Sequence, residues 1–198
     1  MSDSVSEHPV SWVDRDGGRW QVGAAGDVAW IAEATTYGVT ITSAIPSVFD
    51  GYATVVATDT PEERQRHDDT VLTVLGQYSP DHRWWLGYLE TGGADIVFPD
   101  VPKVTLYAGW SYVMVQAGAE QAARWRAAHD YSRPSRLPDL IFPTDRSWLL
   151  STLWDDDWTC LGGPEALIDA FLHHPGLEGH VRRVSLDQDA TPPGHQAI

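Results

Sequence analysis

The sequence predicts an α+β domain with a mainly antiparallel sheet, built from hairpins with about four interspersed helices. Pairs of strand-like runs surround short glycine turns, as in "VSWVDRDGGRWQV" (10–22) and "KVTLYAGWSYVMVQ" (103–116). Runs with helical periodicity and their own start signals fall between these hairpins. Strands that pair locally and alternate with helices are typical of an antiparallel α+β fold, and not of a doubly wound parallel one.

The first third of the chain is predicted to contain a hairpin, a short helix and two further strands. Alternating apolar and polar residues on both sides of Asp-Gly-Gly indicate the hairpin, and they place Trp12 and Trp20 close to each other across it. Asp27 is the predicted N-cap of the helix, which Gly38 ends. The four elements cover residues 10–22, 28–37, 39–46 and 52–59.

The clearest helix signal lies at residues 61–78. Thr60 is the predicted N-cap, Pro61 takes the first helical position, and Glu63 completes a capping box. The apolar residues fall in the second half of this helix only, so its first two turns are expected to face solvent. The acidic residues of these turns are Glu62, Glu63, Asp68 and Asp69.

The second half of the chain is predicted to repeat hairpins and helices. Runs at 83–90 and 94–99 flank Thr-Gly-Gly and indicate a hairpin. A connection at 129–146 holds three prolines and is predicted to lack regular structure. The remaining elements are a helix at 119–129, strands at 146–153 and 158–162, a helix at 164–174 and a last strand at 180–186.

These elements predict one domain with short extensions at both ends. Residues 1–9 are polar and are predicted to be a disordered N-terminus, while 10–186 form a single α+β domain and 187–198 a C-terminal tail. A subdivision within 129–146 is the alternative, because a long proline-rich connection can also separate two domains.

Composition narrows the classes of function. The chain has 198 residues and a net charge of −15, from 28 acids against 13 bases, and no basic stripe that would bind nucleic acid. It lacks both a secretory signal pattern and a run of about 18 apolar residues, so no membrane association is expected. Its single cysteine excludes an internal disulfide. We therefore expect a cytoplasmic protein whose acidic field favours a basic partner.

Three consecutive carboxylates, Asp155, Asp156 and Asp157, lie between Trp154 and Trp158. A calcium loop spaces its ligands at alternating positions around a central glycine, and that spacing is absent here. Aspartate is favoured in turns because its side chain bonds nearby backbone N–H groups. The sequence therefore predicts an exposed hairpin tip, and its acidic and aromatic residues suit the binding of a partner.

Other candidate sites are weaker. The cluster His173, His174, Glu178 and His180 has no recognised metal spacing, and histidine is common at a helix C-terminus. Cys160 lies between strand residues and is interpreted as a small core residue without a general base. Nucleotide-binding glycine motifs are absent. No catalytic residues, metal or cofactor are predicted, and the balance is against an enzyme.

Parts of the chain resemble known proteins. The run "DRSWLLSTLWDDDWTCLGGPEALIDAFLHHP" (145–175) resembles the C-terminal part of uncharacterised proteins from high-GC actinobacteria, as do "ITSAIPSVFDGYATVV" and "PEERQRHDDTVL". No activity comes with that group, so the resemblance implies no catalytic residues. In acidity, size and tryptophan content the chain is similar to bacterial toxin-immunity proteins, including the SMI1/KNR4-like group.

These observations predict a non-enzymatic protein-binding module, most simply an immunity-type inhibitor of a basic bacterial toxin or a similar partner. The tip at 154–158 and the acidic turns of the helix at 61–78 are the predicted docking elements. The alternative is a small-ligand-binding or enzymatic domain with an aromatic-lined cleft beneath the 129–146 connection. A pocket that gathers tryptophans with Asp or His from distant segments would favour that alternative.

Overall fold

A computed structural model describes residues 11–58, 60–79, 81, 83–90, 96–126, 137–153, 156–192 and 195. The strands are β1 (Ser11–Arg15), β2 (Gly18–Val22), β3 (Gly51–Val56), β4 (Trp84–Leu89), β5 (Val104–Leu106), β6 (Trp110–Ala117), β7 (Leu140–Pro143), β8 (Leu149–Ser151), β9 (Trp158–Gly163) and β10 (Val181–Arg183). The α-helices are α1 (Ala25–Ala32), α2 (Pro61–Gln77), α3 (Ala119–Arg124) and α4 (Glu165–His173).

All described strands belong to one antiparallel sheet, so the predicted α+β class is confirmed. The strand order is β1-β2-β6-β4-β7-β8-β9-β3-β10. Strand β5 pairs with the first residues of β6, and β2 pairs with its last residues. The strands nearest the two ends of the chain, β1 and β10, therefore lie at opposite edges of the sheet.

The predicted hairpins at 10–22 and 103–116 and the pairing of β8 with β9 are confirmed. The prediction that Trp12 and Trp20 lie close to each other across the first hairpin was wrong. Trp12 lies opposite Gln21, whereas Trp20 lies opposite Val13, so the two indoles project from opposite faces. Trp12 is 51% exposed, and the guanidinium of Arg19 lies over its ring.

Two predicted strands are absent from the described residues. Strand β4 pairs with β6 on one edge and β7 on the other, so no edge is left for a hairpin partner at 94–99, of which 96–99 are described. The run 39–46 contains a 3₁₀ helix at Ile41–Ser43. Ser43 donates from both its N–H and its hydroxyl to the carbonyl of Thr40, and such local bonds compete with strand pairing.

The proline-rich connection contains a strand that the sequence did not predict. Residues 140–143 form β7, which is fully buried between β4 and β8. Pro143 is its last residue and Pro138 precedes it, so neither proline removes a hydrogen bond from the middle of the strand. The strands before and after this connection are therefore parts of the same sheet.

Helix starts follow local side-chain chemistry. The hydroxyl of Thr60 accepts a hydrogen bond from the Glu63 N–H at 3.3 Å, which confirms the predicted N-cap of α2. Helix α1 begins earlier than predicted, at Ala25. Asp27 lies in its first turn, where its carboxylate accepts the N–H of Ala24 at 2.8 Å.

The sheet is covered on both faces. Successive side chains of a strand point to opposite faces, and in β6 Val113 and Val115 join one apolar cluster while Tyr112 and Met114 join another. The first cluster lies beneath α2, α3 and α4. The second lies beneath α1 and the 3₁₀ helix at Ile41–Ser43. Cover on both faces explains why the central strands are apolar along their whole length.

The described part of the C-terminal segment lies against the second face. Ala190 is buried, and its N–H donates to the carbonyl of Val39 at 2.9 Å. Thr40 and Asp189 form an isolated antiparallel bridge. This contact brings the predicted tail, up to residue 192, to the border of the site described next.

Candidate functional site

A cleft of about 400 Å³ opens on the second face of the sheet. Four segments that are distant in sequence line it: the loop after α1, the β5–β6 turn, the β8–β9 connection with the start of β9, and the C-terminal segment. The residues that carry its chemistry are Tyr37, Tyr107, Trp110, Asp156, Trp158 and Cys160. Aromatic rings and one carboxylate therefore face a common space.

Tyr107 is held in place by an unusual backbone. Its φ is 52°, in the left-handed region that a bulky side chain seldom adopts, and Gly109 completes the turn with φ 92°. The Tyr107 hydroxyl lies 3.1 Å from the carbonyl of Ala44 and 2.7 Å from the hydroxyl of Ser151. Burial raises the pKa of Tyr107 well above its ordinary value, so this phenol is neutral.

Trp110 is the first residue of β6 and is half-buried at the cleft. Its ring centroid lies 6.3 Å from that of Tyr107. Tyr37, from the loop after α1, also lines the cleft, and 87% of its surface is accessible. The cleft thus has an ordered aromatic wall and an exposed aromatic rim.

Trp158 begins β9 and also lines the cleft. Its Nε1 is buried and has no oxygen or nitrogen acceptor among the described residues, and the Cys160 sulfur is the neighbouring group on which its N–H acts. The ring of His195 lies edge-on to it, with centroids 6.2 Å apart, and His195 Nδ1 lies 2.9 Å from the carboxylate of Asp157. Trp158 therefore contributes apolar surface to the cleft lining and no accessible N–H.

Asp156 and Cys160 are an acidic residue and a thiol that both line the cleft. Burial raises the pKa of the Cys160 thiol well above its ordinary value, and the negative charge of Asp156 raises it further. The nearby Trp158 offsets part of this rise. Cys160 is therefore a neutral thiol and is unsuited to act as a thiolate nucleophile.

The predicted docking tip is only partly described. Trp154 and Asp155 lie outside the described residues. Asp157 is exposed, as predicted, and Asp156 is half-buried in the cleft. The prediction for Trp158 as an exposed flank was wrong, because this side chain is 4% exposed and packs in the second cluster.

The acidic residues in the first turns of α2 differ in their exposure to solvent. Glu62, Glu63 and Asp69 are exposed, but the prediction for Asp68 was wrong, since it is only 5% exposed. Asp68 lies four residues before Leu72 and therefore on the helix face that packs on the first cluster. Helix α2 packs on the first cluster, whereas Asp156 of the predicted tip lines the cleft on the second face.

The structure also locates residues that sequence analysis did not assign to a site. Tyr107 and Trp110 flank the β5–β6 turn, and that pair of aromatic residues around a tight turn was the available signal. The predicted cleft lay beneath the 129–146 connection, and the described lining of this cleft includes no residue of 137–146. Residues 127–136 lie outside the described part of the chain.

Metal binding finds no support in the described residues, where no group of three or more His, Cys, Asp or Glu side chains could hold an ion. In the histidine run, His173 Nδ1 lies 2.8 Å from the carbonyl of Asp169, and His174 accepts the N–H of Gly176 at 3.1 Å. Both rings thus contribute to the end of α4 and the turn that follows it.

Comparisons of the chain with protein-family models, curated proteins and solved structures find no match. Across the described ranges, no helix has the length and apolarity needed to cross a membrane. The cleft therefore has to be interpreted from its own chemistry.

Proposed function

We propose that the protein binds a small molecule in the aromatic cleft of the second face. The observation that carries this proposal is the convergence of Trp110, Trp158 and Asp156 from separate segments on one space of about 400 Å³. Small-molecule sites commonly measure about 300–1,000 Å³ and combine apolar walls with a few polar groups. This arrangement corresponds to the small-ligand alternative drawn from the sequence.

The chemistry of the walls suits binding better than covalent catalysis. The lining side chains that could act as nucleophiles after losing a proton are Cys160 and Tyr107, and burial keeps both protonated. The Tyr107 hydroxyl is also engaged by Ser151 and Ala44. Preformed walls lower the ordering cost of association, and these hydrogen bonds of Tyr107 fix the orientation of one such wall.

Trp110→Ala is expected to weaken binding of cleft ligands at least about tenfold, because it removes an aromatic anchor worth about 1.4 kcal/mol or more. The measurement is a fragment screen that includes cationic, neutral and anionic compounds. Binding is followed by NMR on the indole ¹H–¹⁵N signals of protein labelled at tryptophan, with the Trp110 signal assigned from the variant.

Trp12→Ala is the matched control, because it removes an indole from β1, outside the cleft lining. The proposal predicts unchanged affinities in this variant. Hits that bind Trp110→Ala as tightly as the wild type, or a screen in which no fragment shifts the indole signals, would contradict the proposed function.

A basic protein partner is the second candidate, and the exposed carboxylates of Glu62, Glu63 and Asp69 favour it. A net charge of −15 would speed its association. In an immunity-type inhibitor, this acidic surface would cover the basic site of a toxin. Purified protein should then retain one basic protein from host lysate at low salt and release it at high salt, and a Glu62→Lys/Glu63→Lys variant should retain less. Equal recovery by both forms would contradict this role for α2.

A further inference from the structure

The C-terminal segment crosses the border of the cleft as a strap, which we define as residues 189–192 and 195. Ala190 is buried in the cleft lining, and Pro192 is buried as well. The N–H of His195 donates to the carbonyl of Pro192 at 3.1 Å, which ties His195 to the rest of the strap. The ring of His195 packs against Trp158. The strap therefore forms part of the cleft wall and reaches beyond it to Trp158.

The first half of the strap is held by its backbone. The N–H of Ala190 donates to the carbonyl of Val39 at 2.9 Å. Nη2 of Arg182 donates to the carbonyls of Asp189 and Thr191 at 2.6 and 2.7 Å. The carboxylate of Asp189 accepts the hydroxyl and the N–H of Thr191 at 2.6 and 2.8 Å, and these bonds lower the pKa of Asp189. These contacts do not depend on a group that titrates near neutral pH.

The far end of the strap is held by a contact between two side chains. Nδ1 of His195 lies 2.9 Å from both carboxylate oxygens of Asp157. The His195 side chain is 29% exposed and that of Asp157 is 55% exposed, so water and protons reach both. The same imidazole lies edge-on to Trp158, with ring centroids 6.2 Å apart. The contact that holds the end of the strap therefore also covers Trp158.

The strength of this contact depends on the charge of the imidazole. Histidine gains a proton near pH 6.5, and a charged donor binds a carboxylate more strongly than a neutral one. Asp157 is the charged residue that the described part of the chain places in contact with His195. The other charged residues in the segments around it are Asp156, which lines the cleft, and Arg182 and Asp189, which are bonded to the strap. The ion pair is therefore present below about pH 6.5 and is lost as the pH rises.

We infer that the strap is a proton-dependent closure of the cleft, with His195 and Asp157 as its latch. When the latch is closed, the imidazole of His195 covers Trp158 beside the cleft wall. When the latch opens, the end of the strap leaves Trp158, and the cleft becomes more accessible from that side. The inference goes beyond the proposed function, because the latch can be tested without a ligand.

The test measures how fast the buried indole N–H of Trp158 exchanges with solvent, by NMR on protein labelled at tryptophan, with the signal assigned from Trp158→Phe. Asp157→Asn should exchange about two- to fivefold faster than the wild type at about pH 5.5, the effect of losing an exposed ion pair. At about pH 7.5, where histidine is neutral, this ratio should fall below about 1.5. The comparison is made at equal pH, so the intrinsic pH dependence of exchange cancels.

Two further variants make the test specific. In a His195→Gln background, Asp157→Asn should change the exchange rate less than about 1.5-fold at both pH values, because the group that carries the positive charge is gone. Asp69→Asn removes an equal charge from the exposed surface of α2 and should leave the exchange of Trp158 unchanged.

The outcomes separate the inference from the proposed function. An Asp157→Asn variant that exchanges like the wild type at both pH values, or equally faster at both, would overturn the proton-dependent latch. An effect of Asp157→Asn that persists without His195 would show that these two side chains do not act as a pair, and it would overturn the inference as well. Failure of the small-molecule function alone would appear as a fragment screen without hits on a protein whose exchange still shows the latch.

Discussion

Asp139→Ala is expected to lower the free energy of unfolding by about 3–5 kcal/mol, the usual effect of removing one member of a buried ion pair. Asp139 and Arg126 are both buried, and Arg126 Nη1 donates to Asp139 Oδ1 at 3.2 Å and to the carbonyl of Leu137. The N–H of Leu89 donates to the same carboxylate at 2.7 Å. Alanine would leave a guanidinium and a backbone N–H in the core without this acceptor. Guanidinium chloride unfolding, followed by tryptophan fluorescence, measures the loss.

The position of this pair in the chain explains why it matters. Arg126 follows α3 and Asp139 precedes β7, so the pair joins the two ends of the connection between them. The control is Glu120→Ala, which breaks the exposed pair that Glu120 forms with Arg124 at 2.8 Å and should cost less than about 1 kcal/mol. Equal destabilisation by the two variants would show that the buried pair has no special role.

Trp148→Ala is expected to cost about 3–5 kcal/mol, the range for replacing a large buried aromatic residue by alanine. Trp148 is fully buried, and its ring packs edge-on against Trp84 with centroids 5.3 Å apart. Its indole N–H donates to the hydroxyl of Ser79 at 3.0 Å. The variant would leave a cavity in the first cluster. Urea unfolding at constant ionic strength gives the difference in free energy.

Two further variants separate the contribution of the hydrogen bond from that of the buried ring to the loss of stability in Trp148→Ala. Ser79→Ala removes the acceptor and leaves the Trp148 N–H unpaired, at a cost of about 1–3 kcal/mol. Trp12→Ala removes a tryptophan that is half exposed and should cost less than about 1 kcal/mol. A Trp148→Ala variant as stable as Trp12→Ala would mean that the first cluster closes around the missing ring.

Sequence reasoning succeeded where the signal is local. The hydroxyl of Thr60 and the carboxylate of Glu63 lie three residues apart, and their bonds form within one turn of helix. The β5–β6 hairpin likewise closes over a tight turn, and its strands alternate as their pairing requires. The contacts that form these elements lie within a few residues of one another, so the fold class could be predicted from them.

Elements that depend on distant partners were harder to predict. Residues 140–143 form a strand because β4 and β8 lie on either side, whereas the prolines of the 129–146 connection suggested irregular structure. The run 94–99 has strand-like residues, but the edge of β4 that it would need is already paired. Strand pairing between segments far apart in sequence decides both cases.

The candidate site shows the same limit. The burial of Asp68 could have been predicted, because it lies one turn before Leu72 on the apolar face of α2. The cleft could not be predicted, because Tyr37, Trp110 and Asp156 lie in three separate segments. These segments are the loop after α1, the β5–β6 turn and the β8–β9 connection, and only the complete fold brings them together. A site assembled from separate segments leaves no spacing in the sequence.

The position of β3 has a consequence for synthesis of the chain. Both edges of β3 pair with strands from the last quarter of the sequence, β9 and β10. During translation β3 therefore emerges long before either partner, and its backbone groups remain without strand partners until the ribosome has passed residue 158. Pairing of such long range slows folding and exposes strand edges to aggregation. A nascent chain that stops short of β9 would be a natural client for chaperones.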